Sequence, residues 1–473
     1  MVGLPDAALT QAKERCRAAV LSSGYSWPSQ VLTINLTPAS LPKTGSHYDL
    51  GIAAAVLATE GVIHHSQLAG IIMLGELGLD GQVHPVRGVL PALLGARHIG
   101  VDQAIVPACQ VHEACLVEGI SIKGVAGLKD LIDVLNGGPG VVTRPEATLG
   151  RPVVAPPDLK DVAGLPQARW ALEVAAAGRH HLFFHGPPGV GKTLLASCLP
   201  TILPDLGLGE AMEVAAIHSL VDVTIDALPT RPPYSAPHHT ASLASLIGGG
   251  QRIARPGAIS LAHRGVLFLD EAPEFPAQAL EALRTPLESG EIVLGRSQMA
   301  VTYPARFQLV LAANPCPCGL AATPKSRCVC TPMMIRKYAA RISGPILDRI
   351  DIQAHILPLR RQLAQGGWGE PESSASVAGR VAVARERQAA RFAGKPWLTN
   401  AEMPGRFLRK ELPTPSGMSL LDAALANGSL SARGLDKVMR LAWTVADLQG
   451  ADCPSGDHLT VALALRQAEE VER

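Results

Sequence analysis

Gly186-Pro-Pro-Gly-Val-Gly-Lys-Thr193 satisfies the pattern G-x-x-x-x-G-K-[ST] and decides how the rest of the chain is read. It follows the apolar stretch His181-Leu-Phe-Phe184 and precedes an apolar helical pattern, so it reads as the turn between a buried strand and a helix. Gly186, Gly189 and Gly191 let the backbone fold so that its N–H groups, with those of Pro188's successors, point at phosphate oxygens, and the helix N-terminus adds a favourable dipole. Pro187, Pro188 and Val190 complete the loop. Lys192 is placed to reach the β- and γ-phosphates, and Thr193 to put its hydroxyl on Mg²⁺. A Gly-rich loop with an accidental Lys-Thr is the competing reading.

The next two strands argue against that accident. Val266-Leu-Phe-Leu-Asp-Glu271 is an apolar strand ending in two acids. Asp270 suits Mg²⁺, and Glu271 suits a base that polarises the attacking water. Leu309-Val-Leu-Ala-Ala-Asn314 is a third such strand, ending in a side chain able to orient that water. Acids at a strand end can simply mark its exit to solvent. In series behind a phosphate loop, the three strands indicate ATP hydrolysis on a parallel sheet covered on both faces.

Outward from this core, 473 residues exceed what one hydrophobic core supports, giving a prior of about three domains. Residues 1–140 read as a mixed α/β domain. Its helix begins at an Asp6 cap, carries Ala8, Ala12, Cys16 and Ala19 on one face and closes at Gly24. Leu32, Ile34 and Leu36 alternate as a strand, and a second helix runs from Asp49 to Thr59. The nucleotide-binding core spans 151–360, the Gly- and Ser-rich 361–376 reads as a linker, and 377–473 is helical. There, Leu435, Val438, Ala442, Val445 and Leu448 share one face, with Lys437 and Arg440 elsewhere.

Hydrophobic residues make up 47% and charged residues 18%, which suits a folded chain rather than a disordered one. Lys plus Arg (42) nearly cancels Asp plus Glu (41), so any polyanion site must come from local clustering. No stretch reaches the ~18 apolar residues of a membrane span, and no secretory signal opens the chain. The expectation is a cytoplasmic protein without a membrane partner, its nine Cys present as thiols or metal ligands. Cys316-x-Cys318 and Cys328-x-Cys330 bring four thiols into one short loop. They offer a tetrahedral structural Zn²⁺ site, although C-x-C is tighter than the usual C-x₂₋₄-C spacing. Reduced thiols in a Pro- and Gly-rich loop are the equal alternative.

Several further strings accumulate: Pro237-His-His-Thr240, Gly248-Gly-Gly250, Pro256-Gly-Ala-Ile-Ser-Leu-Ala-His263, Asn314-Pro-Cys-Pro-Cys-Gly319 and Ser343-Gly-Pro-Ile-Leu-Asp-Arg-Ile-Asp351. With the phosphate loop they resemble the magnesium-chelatase-like AAA+ ATPases of the ComM/YifB family, over nearly the whole chain. The resemblance implies a P-loop AAA+ parallel sheet with a helical lid, preceded by a Lon-protease-like (ribosomal S5 domain 2-like) α+β domain. It implies ATP and Mg²⁺ as cofactors, a cytoplasmic hexameric ring, and helicase or branch-migration activity on single-stranded or branched DNA in recombination and natural transformation. Arg349 matches the arginine finger that reaches a neighbouring subunit's γ-phosphate. Arg433 matches the second sensor arginine, and Asn314 the first sensor. Read without the family, Arg349 and Arg433 are surface salt-bridge residues. Related helicases line their pores with insertions, which here are the Glu288–Tyr303 hairpin with Arg296 and the Gly248–Pro256 loop with Arg252 and Arg255.

The chain departs from the family at Ser235, where members often carry Arg, and at Ala258, where an acid is usual. Members also have one or two more strands before Val2, so a short N-terminus is expected. Asp49 and Ala92 fall where the Lon-like domain would carry its catalytic Ser and Lys, which argues against peptidase activity. Two other functions compete with the DNA motor. One is the motor subunit of a magnesium chelatase, disfavoured by the N-terminal domain and the Cys cluster. The other is an ATP-switched factor that remodels proteins.

Overall fold

The computed structural model describes residues 7–37, 45–138, 156–221, 225, 227–250, 254–295, 300–321, 327–357 and 371–467. Two structural regions result, each built around its own packed apolar residues.

In the N-terminal region, Ala7–Ser22 forms a helix whose Ala12, Cys16 and Ala19 are fully buried against the Asp49–Thr59 helix. Gly24 takes φ +88°, a left-handed conformation that ends the helix as anticipated. The expected cap, Asp6, lies outside the described residues. The Asp49–Thr59 helix has the predicted bounds. The alternating Leu32–Leu36 stretch does not form a strand, only an isolated bridge at Asn35. The sheet is built later in the chain, from the parallel strands Ile71–Met73, Gln103–Pro107 and Ser121–Val125. Leu32 and its neighbours find no ladder there, so alternation alone was not enough.

The second region is a five-stranded parallel sheet. Its order is Ile352–His355, Leu182–His185, Gln308–Ala313, Val266–Leu269 and Tyr234–Ser235. The three middle strands are almost wholly buried, as continuous apolar runs require when both faces are covered. One face packs on the helices Pro166–Gly178 and Lys192–Ile202, the other on Phe275, Leu280, Leu283, Ile346 and Ile350.

The C-terminal helices alter the expected domain picture. Ser374–Arg391 begins inside the stretch read as a linker, with the Ser373 hydroxyl accepting from the Ser376 N–H. The linker therefore ends by Ser373, because a serine cap and the Val377/Val381/Ala384 face start the helix there. Residues 361–370 lie outside the described residues. Val438, Trp443 and Leu459 then share one continuous core with Leu172, Leu182 and Leu195 of the nucleotide-binding part. The helical segment is thus packed into the sheet's own core.

Lys437, placed by the sequence off the apolar face of the Ala432–Leu448 helix, is buried all the same. Its Nζ lies 2.7 Å from Asp351 Oδ1, so a paired charge rather than solvent satisfies it. Among the described residues, no helix is long and apolar enough to cross a membrane.

Candidate nucleotide-binding site

Parallel α/β sheets bind ligands beyond the carboxyl ends of their strands. Here the ends of Leu182–His185, Val266–Leu269 and Gln308–Ala313 bring the phosphate loop, Asp270–Glu271 and Asn314 together. Gly189 (φ +78°) and Gly191 (φ +91°) take the left-handed backbone that the loop needs. Gly186 is required differently: a Cβ there would come within 2.3 Å of the Ile356 carbonyl oxygen.

Lys192 is buried, and its ammonium donates to the carbonyl oxygens of Gly186 (2.6 Å) and Pro187 (2.9 Å) and to Asn314 Oδ1 (3.0 Å). Burial lowers its pKa, against the opposing pull of Asp270 and Glu271. The ammonium therefore already bridges the phosphate loop and Asn314, and a phosphate oxygen would replace weaker carbonyl acceptors. Thr193 Oγ1 donates to Asp270 Oδ2 at 2.7 Å. The two predicted Mg²⁺ ligands thus converge on one point, and their oxygen chemistry fits that hard cation.

Beside the loop lies a cavity of about 430 Å³, lined by Val162, Ala163, Leu165, Leu194, Leu320 and Leu357 with the loop itself. This apolar shelf is suited to a nucleotide base. Sequence reasoning missed it, because Val162–Leu165 and Leu357 are ordinary apolar residues made special only by meeting here.

A second missed feature surrounds the base candidate. Glu271 sits at φ +50°, an uncommon conformation for a non-glycine residue that turns its side chain out of the strand line. Its Oε2 lies 3.3 Å from His239 Nδ1. His238 lies against His239 with ring centroids 4.1 Å apart and the planes tilted by 33°, and bonds Thr240 Oγ1 at 2.8 Å. The Pro-His-His-Thr string, which marked only a resemblance in the sequence, therefore faces the carboxylate that would activate water.

Arg349 and Arg433 lie together, on a different set of contacts. Arg349 donates to Glu288 and, at 2.7 Å, to the Pro345 carbonyl. Arg433 donates to Asp348 Oδ2 at 2.8 Å. Among the described residues, neither guanidinium bonds the phosphate loop, Asp270 or Glu271. The turn between them is clamped by Lys437, which donates to the carbonyls of Arg349 (2.6 Å) and Ile350 (3.3 Å), and by Arg466, which donates to Ile350. Asp351 completes the clamp. Burial pushes its carboxyl up, but the Lys437 charge and His180 outweigh that and hold it well below the usual carboxylate range.

The two insertions named as DNA candidates meet. Tyr303 of the hairpin (Glu291–Gly295 with Ala300–Pro304) donates its hydroxyl to the Ala254 carbonyl of the other loop. Glu288, counted into the hairpin, belongs instead to the Arg284–Ser289 helix, which Gly290 (φ +71°) terminates. Arg255 is exposed on the short strand that pairs with Gly248–Gly249. Arg252 and Arg296 lie outside the described residues.

The four Cys of the sensor loop also converge. Their sulfurs all lie within 4.8 Å of one another, with Cys316 fully buried. In the N-terminal region, the position aligned with a nucleophile is occupied structurally. Asp49 is fully buried and takes both Arg15 Nε (2.8 Å) and Nη2 (3.0 Å), together with the Leu77 N–H (3.2 Å). A bidentate pair of this kind anchors the first helix to the second.

A parallel sheet with a phosphate loop, a paired acid and a sensor at its strand ends defines a nucleotide-binding protein of AAA+ type. Family models agree. Residues 158–363 match magnesium chelatase, subunit ChlI; residues 371–466 match the C-terminal part of that subunit; and residues 1–110 match a model described as subunit ChlI of Mg-chelatase. An uncharacterised protein of Mycobacterium tuberculosis is 50% identical over 99% of this chain and 92% of its own length. Uncharacterised protein YifB of Escherichia coli is 40% identical, over 100% of this chain and 92% of its own. Competence protein ComM of Haemophilus influenzae is 38% identical, over 98% and 91%. The chain belongs to the ComM/YifB family of magnesium-chelatase-like proteins.

Proposed function

We propose that this chain is an ATP-driven motor that works as a ring on single-stranded or branched DNA, moving strands in homologous recombination and natural transformation. The observation that carries the reading is the separation of the site into two halves within one chain. Lys192, Thr193, Asp270, Glu271 and Asn314 form one half, while Arg349 and Arg433 form another that, among the described residues, bonds Glu288, Pro345 and Asp348. An Arg349 guanidinium that, among the described residues, bonds none of its own phosphate loop, Asp270 or Glu271 suits a neighbour's nucleotide, so the ATPase would be complete only between subunits. A hexameric ring satisfies that requirement by closed rotational symmetry.

Chemically, Thr193 and Asp270 hold Mg²⁺, Lys192 neutralises the transferred phosphoryl, and Glu271 takes the proton of the attacking water. Arg349 from the next subunit stabilises the charge that develops on the phosphate. Asn314, already bonded to Lys192, orients the water beside it.

Contact with DNA is assigned to the joined insertions, through Arg255 and, by sequence, Arg252 and Arg296. The Tyr303–Ala254 bond supports their acting as one element, and the name of the ComM relative agrees with a role in competence. The N-terminal region, read as Lon-like, serves substrate handling or assembly, since Asp49 is committed to Arg15. The protein is placed in the cytoplasm, where its nucleotide and DNA are.

The test is branch migration of a labelled Holliday junction, alongside DNA-stimulated ATP hydrolysis. Wild type should move the junction with ATP and Lys192→Ala should not. If both move it equally poorly, and DNA leaves hydrolysis unchanged, the motor reading fails and a protein-remodelling factor becomes the better account.

A further inference from the structure

The Cys316–Cys330 loop lies outside the nucleotide chemistry, yet it springs directly from the sensor. Cys316 and Cys318 sulfurs are 3.3 Å apart, Cys316 and Cys328 3.8 Å, and Cys318 and Cys328 3.5 Å. In a tetrahedral Zn²⁺ site with Zn–S near 2.3 Å, neighbouring sulfurs are ~3.8 Å apart. Three thiols near that spacing, with the Cys330 sulfur within 4.8 Å of each, surround a point rather than forming two pairs, and a disulfide would need ~2.05 Å within each pair.

The short C-x-C spacing is also accounted for. Gly319 at φ +78° closes a turn in which its N–H donates to the Cys316 carbonyl (2.9 Å), folding both sulfurs to one side. Backbone N–H groups face the sulfurs as well, Leu320 toward Cys318 and Cys318 toward Cys330.

We infer that Cys316, Cys318, Cys328 and Cys330 hold one structural Zn²⁺, and that the clasp braces the phosphate loop. The bracing follows from what the same turn touches. Asn314, two residues before Cys316, bonds Lys192. Gly319 packs so closely on Pro188 of the phosphate loop that a Cβ would meet its Cδ at 2.7 Å. Leu320 lines the nucleotide cavity. Zinc binding deprotonates the thiols and forms four Zn–S bonds with no redox change, so it releases protons and needs no oxidant. Losing the metal frees the turn and, with it, one wall of the nucleotide site.

The experiment uses full-length protein purified without a His-tag or chelator. Metal analysis should return stoichiometric zinc, and replacement by Co²⁺ should give the d–d absorption of a tetrahedral thiolate site. Cys328→Ser/Cys330→Ser should lose the zinc and bind a fluorescent ADP analogue several-fold more weakly, with the helical content of wild type. Gly319→Ala keeps all four thiols and should weaken ADP binding, because its Cβ would press on Pro188 of the phosphate loop. Lys192→Ala should keep its zinc, which separates this site from the ATPase reading. Protein that neither carries nor takes up zinc, or that shows two disulfides by mass spectrometry, overturns the metal assignment. Unchanged ADP affinity in both the zinc-free and the Gly319→Ala proteins overturns the bracing.

Discussion

Lys437→Met tests whether the helical segment holds the Arg349 turn. In the wild type, Lys437 Nζ and Asp351 Oδ1 are 2.7 Å apart, with side-chain exposures of 9% and 8%. Methionine keeps the length and volume of the lysine stem but leaves a buried carboxylate unpaired, which costs about 3–5 kcal/mol. The Arg349 carbonyl loses its 2.6 Å donor too, whereas the Ile350 carbonyl keeps Arg466. A loss of about 4 kcal/mol at pH 8 is therefore expected. The deficit depends on pH with a definite sign. Paired, the Asp351 carboxyl is depressed, so its stabilisation is full above the unfolded value near 3.9 and fades only as pH falls through the lower folded value. Unpaired, burial raises the carboxyl, and protonation on acidification relieves the mutant. The wild-type-minus-mutant difference must then shrink from pH 8 toward pH 5. Asp351→Asn in the same chain keeps an acceptor for the His181 N–H (2.9 Å in the wild type) and should restore all but about 1–1.5 kcal/mol. Urea unfolding followed by tryptophan fluorescence is the assay, since Trp443 belongs to the shared core and the half-buried Trp170 and Trp397 pack against it. A loss under about 1 kcal/mol, or one independent of pH, would refute the buried-pair reasoning.

Glu271→Gln should retain ATP binding and lower kcat by roughly 10²–10⁴, measured as phosphate release against nucleotide titration. Arg349→Ala should leave ADP affinity unchanged and lower hydrolysis by about 10³ or more; mixing it with Lys192→Ala subunits should recover part of the activity, because each ring then contains some complete sites. Arg255→Ala and Arg296→Ala should weaken DNA binding and flatten its salt dependence, with ATP binding intact in a filter assay. Stability should also fall on mild acidification. Burial lowers His181 and His263 to about 4, so between that value and about 6.5 the unfolded chain binds protons that the fold refuses. Each histidine then contributes up to about 1.4 kcal/mol per pH unit, readable as urea midpoints falling from pH 7.5 to pH 5.5.

Much of the nucleotide half was legible because its chemistry is local. Gly186–Thr193 are consecutive, Asp270–Glu271 end an apolar run, and each motif is bound to its strand by a few residues. The Asp49–Thr59 and Ala432–Leu448 helices were legible through their apolar faces. The Leu32–Leu36 strand misled, since alternation describes a face but supplies no partner strand. The burial of Lys437 was not legible, because its partner Asp351 lies just ahead of a strand far away in the chain.

By itself, then, the sequence determined the strand–loop–helix nucleotide motif, the acids and sensor behind it, and the family to which the whole chain belongs. Tertiary structure alone decided that Lys192 and Asn314 touch, that His239 faces Glu271, and that Arg433 sits beside the Arg349 turn. It also decided that four Cys on either side of residues 322–326 surround one point. The division has a physical cause. Motifs record what one stretch of backbone must do, whereas pairings across 32 to 122 positions of chain depend on how the helices and strands between them pack.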